Sequence, residues 1–176
     1  MDDKALIEKF LRGDVKSYNE LVHRHQGWVR GMTMNIVKNP QDAEDISQDV
    51  FVKVYFALNR FRFESEFKTW LYRVVINKIN NHFRKQKLRS VFSAELKEEM
   101  SEDADSSTAN ENRLFEMTHK LPRFQRNIVL LRVYQDLSFK MIGEILNITE
   151  NSAKVSFHKA KANLKKYYMK RYGEYR

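Results

Sequence analysis

The run Asp136–Lys165, DLSFKMIGEILNITENSAKVSFHKAKANLK, decides the fold of this 176-residue chain. It reads as two short helices joined by a tight turn. Ile142, Ile145 and Leu146 give the first helix an apolar face at helical spacing. Asn147-Ile148-Thr149 breaks it, and the Thr149 hydroxyl is placed to accept a backbone N–H at the start of the next helix. In that second helix Ala153, Phe157, Ala160 and Leu164 form one inward stripe. At about 100° per residue, Asn151, Ser152, Val155 and Lys159 point the other way. Lys154, His158, Lys161 and Lys165 run down one flank. A small-residue core stripe, short polar tips and a lysine flank suit a DNA major groove. An ordinary amphipathic helix pair with a solvated basic face has the same pattern, and this run alone leaves both open.

The rest of the chain narrows the class. Two prolines, five glycines and no clean strand alternation favour an all-α protein. The net charge of +9 is segregated along the sequence. Residues 1–60 carry nine basic and nine acidic side chains; residues 61–94 carry eight and two; residues 95–112 one and seven; residues 113–176 fourteen and five. Two basic blocks around an acidic one suggest two surfaces for a polyanion. The absence of cysteine excludes a disulfide framework and a thiolate zinc site. No apolar run of about 18 residues could span a bilayer. The opening MDDKALIEKF is acidic and amphipathic, unlike a signal peptide, so a cytoplasmic protein is expected. No glycine-rich phosphate loop, metal cluster or nucleophile constellation is evident, so neither a cofactor nor an enzymatic activity is expected.

In chain order, Leu6, Ile7, Phe10 and Leu11 mark a short helix that Gly13-Asp14 ends. A second helix turns Tyr18, Leu21, Val22 and His25 inward. Trp28, Val29, Met32 and Ile36 continue as a third apolar stripe. His23 and His25, two residues apart on a helix, diverge and read as structural rather than metal-binding. Asn39-Pro40 is a cap followed by proline at the first helical position. Beyond it Ala43, Ile46, Val50 and Val54 face inward. Asp42, Asp45, Gln48, Asp49, Val52 and Phe56 form the opposite face, whose acidic and apolar mixture suits a protein partner unless another helix covers Phe56.

Phe61–Phe67, FRFESEF, is a break in which Ser65 is placed to cap the following helix, expected over about Glu66–Lys87. Phe67, Leu71, Val74, Val75, Ile79 and Phe83 face inward. Arg73, Asn77, Asn80, Arg84 and Lys87 fall on one opposite line bordered by Trp70, a pattern for phosphate contact and base stacking. Residues 93–112 are acidic and poor in large apolar groups, hence a flexible linker. Leu114, Phe115, Met117 and Leu121 open a second domain. Pro122 starts a helix that buries Ile128, Val129, Leu131 and Val133.

These blocks, in this order, resemble the extracytoplasmic-function (ECF) sigma factors of bacterial RNA polymerase. Asp42–Val54 (DAEDISQDVFVKV) is similar to the family's core-binding helix, and Phe67–Asn77 (FKTWLYRVVIN) to the helix after its promoter-reading loop. Leu121-Pro122 through Leu131 and Leu137–Leu164 are similar to its C-terminal helix-turn-helix. The resemblance implies two small helical domains, residues 1–92 and 113–176, joined by the 93–112 linker.

It also implies roles. Asp45, Gln48, Asp49 and Val52 would dock on the β′ clamp helices of core polymerase, with the β flap as a second core contact. Phe63, Ser65, Glu66 and Phe67 would hold a flipped base of the minus-10 element. Trp70, Arg73, Asn77, Asn80 and Arg84 would meet the melted strand and adjacent duplex. Asn151, Ser152, Lys154, Ser156, His158 and Lys159 would read the minus-35 element. The linker would thread the polymerase cleft. A free monomer, an anti-sigma partner and no membrane insertion are further implications. Three positions depart from the family pattern: Ser156 stands where arginine is usual, Asn81 where aspartate is common, and Gly143 where alanine is common. The last is expected to loosen the first helix of the motif. A conventional helix-turn-helix regulator acting on duplex DNA is the alternative.

Overall fold

The structure, a computed structural model, describes residues 1–94, 117–118 and 120–173. All regular elements among them are helical. In order they are α1 (Asp3–Leu11), α2 (Val15–Val37), α3 (Pro40–Ala57), a 3-10 turn (Leu58–Arg60), α4 (Phe67–Ala94), α5 (Arg123–Val129), a π-helical turn (Leu130–Tyr134), α6 (Phe139–Leu146) and α7 (Glu150–Tyr172). The chain divides into two compact units, Met1–His82 and Phe83–Arg176, the division falling within α4. Of the 93–112 segment only Ser93 and Ala94 are described, as the last residues of α4; 95–112, and with them Leu114 and Phe115, lie outside the described residues.

Helix starts follow local chemistry. A side-chain oxygen accepts a first-turn N–H at Asp2 (from Ala5, 2.8 Å), Asp14 (Lys16, 3.0 Å), Asn39 (Asp42, 3.0 Å), Ser138 (Met141, 3.2 Å) and Thr149 (Ser152, 3.1 Å). Each cap is worth about 1 kcal/mol. Ser17 also donates to the Asp14 carboxylate at 2.6 Å, which holds that carboxyl below its usual range. The two stripes read over residues 18–36 belong to one 23-residue helix, α2, which runs through Gly27 and Gly31 without a break.

In the first unit Leu6, Ile7, Leu21, Val29, Met32, Ile36, Val50, Val54, Leu71 and Val75 are almost wholly buried. Burying each such side chain contributes about 1.5–3 kcal/mol. Helices α2 and α3 also meet through hydroxyls: Thr33 Oγ1 and Ser47 Oγ lie 2.8 Å apart, and Ser47 donates to the Ala43 carbonyl at 2.6 Å. Buried, these groups need such partners. Tyr18 of α2 donates across to the Phe51 carbonyl of α3. His25 is indeed structural: its Nε2 lies 2.8 Å from Asp3 Oδ2, tying α1 to α2, and its ring meets Phe67 edge-on.

Helix α4 buries more of its circumference than one stripe. Phe67, Thr69, Leu71, Tyr72, Val75, Ile76, Ile79, Asn80 and Phe83 are all buried. It packs on α2 through Trp28, whose indole N–H donates to Tyr72 Oη at 3.2 Å, and on α3 through the Lys78–Asp49 ion pair at 3.0 Å. One expectation fails for this reason. Asn80 is 6% exposed and donates its amide to the Ile76 carbonyl, so it does not belong to the solvent line. Phe67, read as inward, is 4% exposed and packs beneath the loop. Glu66, not Ser65, stands immediately before the helix: its carbonyl accepts from Trp70 N, while the Ser65 hydroxyl donates to that same carbonyl.

In the second unit Met117, Leu121, Val129, Ala160 and Leu164 form a core against which Phe157, Tyr167 and Tyr168 pack. Pro122 sits just before α5, where a missing N–H costs nothing. Val133, expected inside, is 51% exposed. The π-helical turn is the cause: each residue there rotates less than in an α-helix, so the face that held Val129 no longer holds Val133. Arg126 Nε donates to the Thr118 carbonyl and Nη2 to that of Leu121, closing the turn before α5.

Candidate functional site

Three surfaces collect the residues singled out from sequence. The first is on α3. Asp45, Gln48, Asp49 and Val52 are all exposed on one face. Phe56 continues it at 71% exposure, so no described residue covers that ring, and Val52 is 57% exposed. Beside them lies a groove of about 780 Å³ whose other wall is α2, through Gln26, Gly27 and Arg30. The sequence reading assigned this face to α3 alone. No sequence signal marked α2, and in the structure a Cβ added at Gly27 or Gly31 would meet nothing within 4 Å. Arg30 Nε bridges the two walls to Glu44 at 3.1 Å. Apolar rings and a carboxylate rim beside a groove suit a helix carrying both apolar and basic side chains.

The second surface joins the 61–66 loop to α4. Phe61 is buried and stacks against Phe63 (4.9 Å between centroids) and Trp70 (5.2 Å). Phe63 sits above it, 38% exposed, with φ 56°. A left-handed backbone is unusual for a bulky residue and marks a site worth explaining. Ser65 and Glu66 complete the loop, Ser65 half-buried and Glu66 exposed. Along α4, Arg73 and Trp70 are half-buried while Asn77 and Arg84 are exposed. In the first unit the line thus keeps Arg73 and Asn77; Arg84 falls in the second unit, and the side chain of Lys87 lies outside the described residues. Lys78 and His82 face α3 instead, where they meet Asp49 (3.0 Å) and Asp42 (3.7 Å).

The third surface is the outer side of α7. Asn151, Ser152, Lys154, His158 and Lys159 are exposed and Ser156 is half-buried. Lys154 pairs with Glu150 one turn earlier at 2.7 Å, and the Thr149 hydroxyl donates to Ser152 Oγ at 2.8 Å. The inward residues are as read: Ala153 and Ala160 are fully buried and Leu164 nearly so. Asn147 ends α6 in a left-handed conformation and the Ile148 N–H returns to the Gly143 carbonyl at 2.9 Å. A Cβ added at Gly143 would stand 2.7 Å from the Ile148 carbonyl oxygen. Glycine does not loosen α6 here; it admits the turn against the helix.

A bihelical corner presenting a polar-tipped helix, in a chain whose other unit pairs a groove-forming helix with a basic one, suits a DNA-binding protein. Residues 21–89 match Sigma-70 region 2 and residues 111–164 match Sigma-70, region 4. The chain is 32% identical over 161 residues to the ECF RNA polymerase sigma-E factor of Haemophilus influenzae, covering 84% of this chain and 85% of that one. It is 30% identical to the RNA polymerase sigma-H factor of Pseudomonas aeruginosa (93% and 92%) and 28% identical to the ECF sigma factor SigW of Bacillus subtilis (93% and 95%). Among solved structures, its fold is similar to that of CnrH in complex with the cytosolic domain of CnrY (TM-score 0.59, 20% identity, 94% and 96% covered). It is also similar to the sigma factor RpoE of Bartonella quintana in complex with the anti-sigma factor NepR (TM-score 0.57, 18% identity, 86% and 96% covered).

The chain belongs to the ECF family of RNA polymerase sigma factors. It is a transcription initiation factor that binds RNA polymerase and directs it to promoters, and the conventional-regulator reading is not favoured. No helix among the described residues is long and apolar enough to cross a membrane.

Proposed function

We propose that this sigma factor divides initiation among its three surfaces and works in the cytoplasm without covalent chemistry. The observation that carries the reading is the α3 face, where Asp45, Gln48, Asp49 and Val52 lie exposed beside the solvent-facing Phe56. That face docks on the β′ clamp helices, its carboxylates steering basic partners and its apolar members supplying contact area. The loop around Phe63, Ser65 and Glu66 takes a flipped base of the minus-10 element. Trp70, Arg73, Asn77 and Arg84 hold the melted strand by stacking and phosphate contact. Opening costs a few kcal/mol per unstacked step, which these contacts offset. Asn151, Ser152, Lys154, Ser156, His158 and Lys159 read the minus-35 duplex, and the second unit also meets the β flap. The 93–112 segment threads the polymerase cleft, where its carboxylates match a channel shaped for RNA. An anti-sigma factor is a further partner, a reading supported by the fold shared with a sigma factor solved on NepR.

Run-off transcription with purified bacterial core polymerase tests the reading. Promoter-specific transcripts are expected only when the protein is added; duplex binding without such transcripts would favour a regulator. Within that assay Gln48→Ala with Asp49→Ala lowers core affinity while the melting temperature holds, because exposed ion pairs such as Asp49–Lys78 contribute at most about 1 kcal/mol. Wild-type affinity in that variant removes the clamp-docking assignment. Arg84→Ala weakens promoter complexes and lowers the salt slope by about one; an unchanged slope argues against a phosphate contact.

A further inference from the structure

Helix α1 lies outside the stretch that matches Sigma-70 region 2, yet it reaches the promoter-reading loop. The Lys4 ammonium sits 5.8 Å from the centre of the Phe63 ring, within range for a cation–π contact. Phe61 packs against the same ring at 4.9 Å. The two contacts differ in origin. Phe61 belongs to the loop's own aromatic cluster with Phe67 and Trp70. Lys4 comes from a separate helix that is itself braced: Asp3 meets His25 at 2.8 Å and Arg24 at 3.6 Å, and Arg24 donates to the Met1 carbonyl at 2.6 Å.

Phe63 needs an external hold. Its φ of 56° is one that a bulky side chain rarely adopts, and 38% of it faces solvent. Little in the loop sequence itself favours that backbone. A cation held at the ring from a braced helix biases the loop toward the conformation that exposes Phe63 before DNA arrives. That is preorganisation, which lowers the ordering cost of capture.

We propose that Lys4 is a positioning residue for strand capture, acting through the Phe63 ring and by its charge. The inference rests on the reading of the loop as the site of the flipped base. The test uses holoenzyme assembled from core polymerase and the full chain, on a promoter found by run-off transcription. It compares Lys4→Met, which keeps a stem but drops the charge, with Lys4→Arg and Phe63→Leu. Expected for Lys4→Met is open-complex formation about two- to fivefold slower, matching an exposed cation–π contact. Core affinity, melting temperature and salt slope stay unchanged, Lys4→Arg restores the rate, and the loss vanishes in a Phe63→Leu background.

Wild-type opening by Lys4→Met overturns the proposal. So does an equal loss in the Phe63→Leu background, failure of Lys4→Arg to rescue, or a melting temperature that falls in step with the rate. A salt slope lowered by about one also overturns it, since that marks a direct phosphate contact. If Phe63→Leu alone opens the promoter normally, the loop reading itself fails. A defective Phe63→Leu with an inert Lys4→Met removes only the role of Lys4.

Discussion

Phe63, in the loop before α4, and Asn147, at the end of α6, both carry φ 56°. In unit two the angle is met by a residue suited to it: asparagine tolerates the left-handed region, and the turn is closed by the Ile148 N–H to Gly143. In unit one an aromatic residue is held there by Phe61 and Lys4, with its ring in solvent. The first arrangement costs little and fixes a corner. The second stores strain of about 1–2 kcal/mol at the place proposed to receive a flipped base. One bend serves the fold and, on that reading, the other serves strand capture.

Substitutions can break that contrast. The largest effect is expected at Gly143→Ala, whose Cβ meets a backbone carbonyl that cannot swing aside. Overpacking of this kind costs about 1–3 kcal/mol. Thermal melts of the full chain, with hydrogen exchange to locate the loss in residues 139–160, check it; an unchanged unit two would show that the corner has slack. Next, Asn147→Ala should destabilise unit two by about 1 kcal/mol, because alanine keeps the β-carbon but lacks the short amide that lets asparagine tolerate the left-handed region. Phe63→Asn should leave stability within about 0.5 kcal/mol of the parent, relief of strain offsetting the lost ring contact. Equal destabilisation by the two would erase the distinction.

A further effect is confined to alkaline pH. Burial raises the Tyr18 phenol from 10 to about 12 while its hydroxyl donates to the Phe51 carbonyl. A raised phenol favours the neutral form in the folded chain. Its contribution is whole below pH 10 and is lost as pH rises towards 12. Denaturation monitored between pH 9 and about 12 should show unit one weakening, and Tyr18→Phe should flatten that part of the slope. The Gly143 corner, residues 139–150, carries no tyrosine, so a matching loss confined to it would contradict the picture.

What was legible in the sequence follows from how local each signal is. Asn39 and Thr149 act within three residues, and both cap as read. The Ala153/Ala160/Leu164 stripe obeys one periodicity and is buried as read. Asn80 was misplaced because α4 has neighbours on two sides, Trp28 on α2 and Asp49 on α3, and a single stripe understates its buried arc. Val133 was misplaced because a π-helical turn resets the phase of the pattern that predicted it. Gly143 was misjudged because the carbonyl that requires it belongs to Ile148, brought near by the turn. The α3 face was readable because its mixture of carboxylates with Val52 and Phe56 makes little sense in water. Its α2 wall was not, since Gln26 and Arg30 resemble any solvated pair until the groove sets them opposite Phe56.

The close approach at Gly143 has a mechanical corollary. With the Ile148 carbonyl seated against a bare Cα and its N–H returned to Gly143, α6 and α7 meet at a joint with no play. On the proposed reading of α7, that helix cannot swing within its own unit to follow a duplex whose groove is a few degrees off. Misfit at the minus-35 element would then be absorbed by bending the DNA, and tolerance for promoter variation would become a property of duplex stiffness.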